Sequence, residues 1–138
     1  QTEKAGERVG DALKISPGET VTRLVRIRNL ENLYSNAPVV YTTLYVPLKL
    51  FPEMPQLDFT DASFYEALDM RGLSVVHASR KLEVVIPPAE VAAGLGITPF
   101  EPAAFISSRG YTQGGQVIEY TESYYPASRS SFRIEINR

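Results

Sequence analysis

Hydrophobic positions near the start of the chain recur at helical spacing. Ala5, Val9, Ala12 and Leu13 lie on one face, and the spacing predicts a helix within residues 1–14, stopped by Ser16-Pro17-Gly18-Glu19. From Thr20 to Arg28 the period falls to two, with Val21, Val25 and Ile27 on one face of a strand. A polar stretch from Asn29 to Ala37 reads as a loop, and Val39 to Val46, rich in Tyr, Thr and Val, reads as a second strand. Together they predict an antiparallel hairpin with a long loop. Pro47 to Pro55 is irregular. Asp61-Ala62-Ser63 can cap a short helix through Arg71, which Gly72 ends. Leu73 to Ile86 is a long strand closed by Pro87-Pro88, and Ala89 to Leu95 is a helix with Pro88 at its start and Gly94 and Gly96 at its end. Pro102 to Thr112 and Val117 to Tyr125 flank Gln113-Gly114-Gly115-Gln116 as a second hairpin. Ser131 to Asn137 alternates cleanly. Phe132, Ile134 and Ile136 point one way and Ser131, Arg133 and Glu135 the other, which predicts a half-buried final strand.

The two hairpins belong to an internal repeat. Val9-Gly-Asp-Ala-Leu-Lys-Ile-Ser-Pro-Gly-Glu19 matches Val91-Ala-Ala-Gly-Leu-Gly-Ile-Thr-Pro-Phe-Glu101 at an offset of 82, and Tyr41-Thr-Thr-Leu-Tyr-Val-Pro47 matches Tyr120-Thr-Glu-Ser-Tyr-Tyr-Pro126 at an offset of 79. Each half reads helix, tight turn, strand, hairpin, strand. The second half has a strand before its helix and the first half shows no counterpart, so the repeat predicts a strand upstream of residue 1.

Composition narrows the class. The 138 residues, 43% hydrophobic and 22% charged, suffice for one globular domain with its own core. Without cysteine there is no disulfide framework, thiolate metal site or Cys nucleophile, and a single His77 rules out a His-pair metal site. A net charge of −2 argues against nucleic-acid binding by bulk electrostatics. Apolar runs fall far short of a membrane span. A start at Gln1 rather than Met is the expected mark of a piece of a longer chain.

Several side chains carry candidate chemistry. Arg26 and Arg28 share a strand face, where two guanidinium forks suit bidentate capture of a phosphate or carboxylate; on spacing alone, two solvated surface arginines are the commoner outcome. Ser63 and Tyr65 open the middle helix, where Ser63 is either a plain cap or, if Asp61 caps, free for a ligand. The strand from Val117 places Glu119, Thr121, Ser123 and Tyr125 on one face, with Ile118, Tyr120, Glu122 and Tyr124 on the other. The first set is either a polar site or a solvent face. Arg80 and His77 lie on the long strand, and Arg109 and Arg133 face solvent. No Ser-His-Asp set, Gly-rich phosphate loop or distinctive carboxylate pair is present, and no enzymatic role, cofactor or metal is expected.

The order of these motifs resembles the UTRA domain, the effector-binding domain of GntR-type bacterial transcription regulators of the HutC subfamily. The resemblance rests on the Leu13 to Glu19 turn, Arg26-Ile27-Arg28, Ala37-Pro38, Tyr45 to Pro47, the Ser63 to Leu68 helix, Val117 to Tyr125, and Arg129 to Ile134. It takes in residues 1–138 as one domain and implies an α+β, chorismate-lyase-like fold: an antiparallel sheet with flanking helices in two similar halves. It implies a winged helix-turn-helix DNA-binding domain on the N-terminal side, absent from this chain, together with a homodimer in the cytoplasm. It also implies a small anionic effector, a sugar phosphate or organic acid. By the same resemblance Arg26 and Arg28 hold the anionic group, Ser63, Tyr65, Glu119 and Tyr125 contact the ligand, and Arg80 supplies a third arginine. Sugar-phosphate-binding members carry an acidic residue where this chain has Thr42-Thr43, a departure that points away from an amino-sugar phosphate. The competing readings are a chorismate-lyase-like enzyme releasing pyruvate and a ligand-free dimerisation module.

Overall fold

The computed structural model describes residues 1–31, 36–59 and 63–137. Six strands, β1 (Thr2–Lys4), β2 (Thr20–Glu31), β3 (Asn36–Pro47), β4 (His77–Val85), β5 (Ala103–Tyr111) and β6 (Val117–Pro126), form one sheet. Its order is β1-β2-β3-β6-β5-β4, and every pairing is antiparallel. Three short helices, α1 (Glu7–Leu13), α2 (Phe64–Asp69) and α3 (Ala89–Leu95), flank it. None of the helices among the described residues is long and apolar enough to cross a membrane.

The repeat is the organising element. β1-α1-β2-β3 and β4-α3-β5-β6 run in the same order, and their last strands, β3 and β6, meet at the sheet centre. The offset of 82 also pairs the helix ends: Lys14 and Gly96 both take left-handed backbone, at φ 57° and 66°. The same offset places Thr2–Lys4 over the end of β4. The strand expected upstream of residue 1 therefore has its counterpart within the chain, as β1. The first helix accordingly begins at Glu7 rather than near Gln1, because residues 2–4 pair with β2 (Lys4 opposite Thr20) and the Ala5 amide is taken by the Glu19 carbonyl.

Each sheet face buries its own cluster. On one face α1 lays Val9, Ala12 and Leu13 over Val21, Tyr45, Val117 and Tyr120. On the other, Leu44, Val46 and Ile118 receive Phe51, Met54 and Phe59 from the segment after β3, and Phe64 and Leu68 from α2. Burying each of these large side chains contributes about 1.5–3 kcal/mol.

Ile118 departs from simple alternation. A bulge between Gly110 and Tyr111 shifts the β5–β6 register, so Ile118 and Glu119 both meet the face that carries Leu44. The strand expected from Leu73 starts only at His77. Leu73 instead donates its amide to the Leu68 carbonyl, closing α2, and Leu73 and Val75 pack on the second cluster. The expected final strand does not form: residues 131–137 are exposed and have no strand partner. β6 is already paired on both sides, so a strand following it finds free backbone only at the outer edges of the sheet.

Candidate ligand-binding site

The layer of α2 and its preceding segment covers only part of its sheet face. Beside it lies a cavity of about 340 Å3. Two rows of cross-strand neighbours make its floor. One runs Arg26, Thr42, Ser123, Ile106, and the other Leu44, Thr121, Ser108, Arg80. Period two on each strand brings these residues to one face, and antiparallel register brings the faces together. Arg26 and Arg28 stand on β2 at one side and Arg80 on β4 at the other, while Phe64 and Tyr65 of α2 lean over from above. Thr42 and Ser123 hydroxyls share a hydrogen bond of 2.9 Å, and Arg80 Nε donates to Ser108 Oγ at 3.4 Å.

Glu119 is the one carboxylate in this lining. It is 3% exposed, and the Tyr65 hydroxyl donates to its two oxygens at 2.9 and 3.2 Å. Burial raises its pKa above the ordinary range, against the downward pull of the Tyr65 hydrogen bond and of Arg80 and Arg26. Burial and the neighbouring Glu119 charge push the Tyr65 phenol up. Burial, then repulsion from Arg28, lowers the Arg26 guanidinium. Neither Arg26 nor Arg28 has a hydrogen-bond or ion-pair partner among the described residues. The site therefore gathers three cations against one carboxylate whose lone pairs already engage Tyr65.

The raised Glu119 value sets a pH dependence. The native state keeps the proton to higher pH than the unfolded chain, so the stability linked to Glu119 is full below the usual value of 4.5 and falls as pH rises through the native value. Glu119→Gln is expected to flatten this slope, so that urea melts compared at about pH 5 and about pH 8 differ less for the variant than for the parent chain.

Gly110 is a site residue that pattern alone did not single out. It lies opposite Glu119, and a Cβ there would fall 2.7 Å from Glu119 Cγ and Oε1. Gly110→Ala is expected to destabilise by about 1–3 kcal/mol by pushing the buried carboxylate off Tyr65. Shortening Glu119 to Ala in the same chain should recover part of the loss, which a double-mutant cycle of melting curves measures.

Of the residues singled out from sequence, Arg26, Arg28, Tyr65, Arg80, Glu119 and Tyr125 line this cavity. Ser63 lies outside it. Its Oγ accepts from the Glu66 amide at 3.3 Å as the α2 N-cap, and it lines an adjoining cleft that shares Arg26, Arg28 and Tyr65. The alternative cap, Asp61, falls outside the described residues. His77 packs its ring 5.4 Å from that of Tyr111, away from the cavity. Arg109, expected in solvent, is partly covered in a cleft beside α1. Ser108 and Ile106 escaped notice because β5 shows its site face only once paired with β6.

A family model for the UTRA domain matches residues 1–131. The chain belongs to the UTRA domain family. It is 21% identical over 126 residues to the mannosyl-D-glycerate transport/metabolism system repressor MngR of Escherichia coli K12, covering 91% of this chain and 51% of MngR. It thus spans about half the length of that curated relative. The effector domain of PhnF from Mycobacterium smegmatis superposes with a TM-score of 0.88 at 23% identity, over 100% of this chain and 83% of that one. The C-terminal domain of the histidine utilization repressor from Pseudomonas syringae gives 0.88 at 22%, over 100% and 94%. The fold of this UTRA domain is thereby the chorismate-lyase-like α+β sheet, and it is also shared, at 26% identity and a TM-score of 0.84 over 99% of this chain and 86% of that one, by the ligand-binding domain of a putative GntR-family transcriptional regulator from Bordetella bronchiseptica.

Proposed function

We propose that this UTRA domain senses a small anionic metabolite in the cavity between its sheet and α2, and that the bound effector controls DNA binding by a separate N-terminal winged helix-turn-helix domain. The observation that carries the reading is the set of three arginines around one cavity, with Arg26 and Arg28 lacking a hydrogen-bond or ion-pair partner among the described residues. An anion between them removes the mutual repulsion of Arg26 and Arg28 and gains charge-assisted hydrogen bonds. The hydroxyls of Thr42, Thr121, Ser123 and Ser108 suit the polar body of a sugar phosphate or a hydroxylated organic acid. Control of DNA binding requires that the ligand favour one arrangement of a homodimer over another. The cytoplasm is the compartment of such a regulator.

A thermal-shift panel tests this, with sugar phosphates, glycosyl-glycerates, imidazole-pathway acids and other carboxylates. A shift from at least one anion is the expected result. If none shifts the melt, a ligand-free dimerisation module is the better reading, and release of pyruvate from chorismate by the purified chain would overturn the sensor assignment.

A further inference from the structure

The two halves of the repeat treat their helices differently. At the offset of 82, α1 corresponds to α3 and β2 to β5, and strand register agrees: Ile27 lies opposite Tyr41 as Arg109 lies opposite Tyr120. α3 is pressed onto its strands. A Cβ on Gly94 would fall 2.8 Å from the Tyr41 ring and 3.2 Å from Ile27 Cδ1. In the other half the same three positions hold Ala12, Tyr120 and Arg109. A guanidinium that keeps its charge hydrated cannot close such a contact as an isoleucine does. A cleft of about 480 Å3 lies there, beside α1, on the sheet face away from Arg26 and Arg28.

Three elements wall the cleft. β4 and β5 give a block of cross-strand neighbours, Ser79 opposite Arg109 and Lys81 opposite Ser107, and α1 gives Arg8 and Asp11. Arg80 and Ser108, which alternate with the strand residues of this block, are tied to each other at 3.4 Å and border both this cleft and the effector cavity. No other residue is shared by the two.

Charge is unbalanced here. Arg109 and Lys81 are diagonal neighbours on one face, close enough to repel. Arg109 has no hydrogen-bond or ion-pair partner among the described residues. Lys81 meets Glu83 at 3.5 Å on the surface, where water screens the pair. Arg8 is held at the cleft by Glu122, which also accepts from the Tyr120 hydroxyl at 2.8 Å. Asp11 is the one acid in the lining.

We propose that this cleft is a second anion site, separate from the effector cavity, and that it takes a compact oxyanion with two charged groups, of the diphosphate class. Two charged ends let one ligand reach Arg109 and Lys81 together and relieve their repulsion, with Arg8 on the third side. The Ser79 and Ser107 hydroxyls donate to its remaining oxygens. Asp11 repels a fully ionised ligand and holds the affinity below what the cations alone would give.

Calorimetric titration of the 138-residue chain with pyrophosphate at low salt tests the site. With Arg26→Ala and Arg28→Ala together weakening the effector cavity, one pyrophosphate is still expected to bind. In that background Arg109→Gln is expected to weaken binding about tenfold or more. Asp11→Asn is expected to tighten it several-fold, a gain that a damaged fold cannot produce. ADP identifies the source of the two phosphates. Binding tighter than pyrophosphate, and lost with Arg109→Gln, assigns them to a nucleotide, and weaker binding assigns them to a free diphosphate; both support the site. The assignment is overturned if neither ion binds in the Arg26→Ala, Arg28→Ala background, if Arg109→Gln leaves binding unchanged, or if Asp11→Asn does not tighten it. Loss of all pyrophosphate binding with the Arg26, Arg28 pair alone defeats this inference and leaves the sensor reading intact. Anion binding that responds to Arg109→Gln and never to the Arg26, Arg28 pair defeats the sensor reading and leaves this site.

Discussion

Truncating Arg26 or Arg28 to Ala is expected to weaken binding of the anionic effector by roughly one to two decades. Each guanidinium supplies charge-assisted hydrogen bonds worth about 1.5–3 kcal/mol, and about 1.4 kcal/mol is a factor of ten. Neither arginine has a partner among the described residues that would take up the loss. Stability should move little, and for Arg26→Ala it should hold or rise slightly, because the substitution removes a partly buried charge that Arg28 already repels. Arg28→Lys should recover only part of the affinity, since one ammonium cannot reproduce the planar fork. Lys49→Ala, at an exposed turn outside the cavity, is the control. Calorimetric titration with the strongest anion from the panel measures all four chains. Normal binding by both arginine variants would move the site off this sheet face.

Much of the site was readable in the sequence because it is built on strands. Parity alone puts Arg26 with Arg28, and Glu119 with Thr121, Ser123 and Tyr125, and the structure places all six residues around one cavity. The repeat was equally visible, since strand-turn chemistry recurs at fixed offsets. What sequence could not supply was register. The bulge at Gly110/Tyr111 turns Ile118 to the same face as Glu119, and no local pattern announces a bulge formed by pairing with a distant strand. Gly110 owes its importance to the same cross-strand placement opposite Glu119. Residues 131–137 show the opposite limit. Their alternation is real, but alternation specifies a strand only where an edge is within reach. At Ser63 two caps competed, and the Ser63 side chain holds the Glu66 amide.

The lid over the site gives the largest stability effect. Phe64 is 1% exposed, and its ring meets those of Phe51, Phe59 and Tyr65 at centroid distances of 6.4, 6.0 and 5.3 Å. Phe64→Ala removes the centre of that cluster and is expected to cost about 3–5 kcal/mol, a large share of the 5–15 kcal/mol that holds a typical domain. For a chain of this size that corresponds to a fall in Tm of roughly 10–20 °C. The same substitution should also weaken effector binding, because Phe64 lines the cavity and its neighbour Tyr65 places the hydroxyl that engages Glu119. Leu13→Ala separates the two effects. Leu13 is 2% exposed in the cluster on the opposite sheet face, and its truncation costs about 2–5 kcal/mol. It touches nothing in the cavity, so affinity measured well below its melting point should stay at the parent value. If the two variants lose stability alike and also lose affinity alike, the helix layer has no particular hold on the site. If only Phe64→Ala loses affinity, packing in the lid is what aims Tyr65 at Glu119.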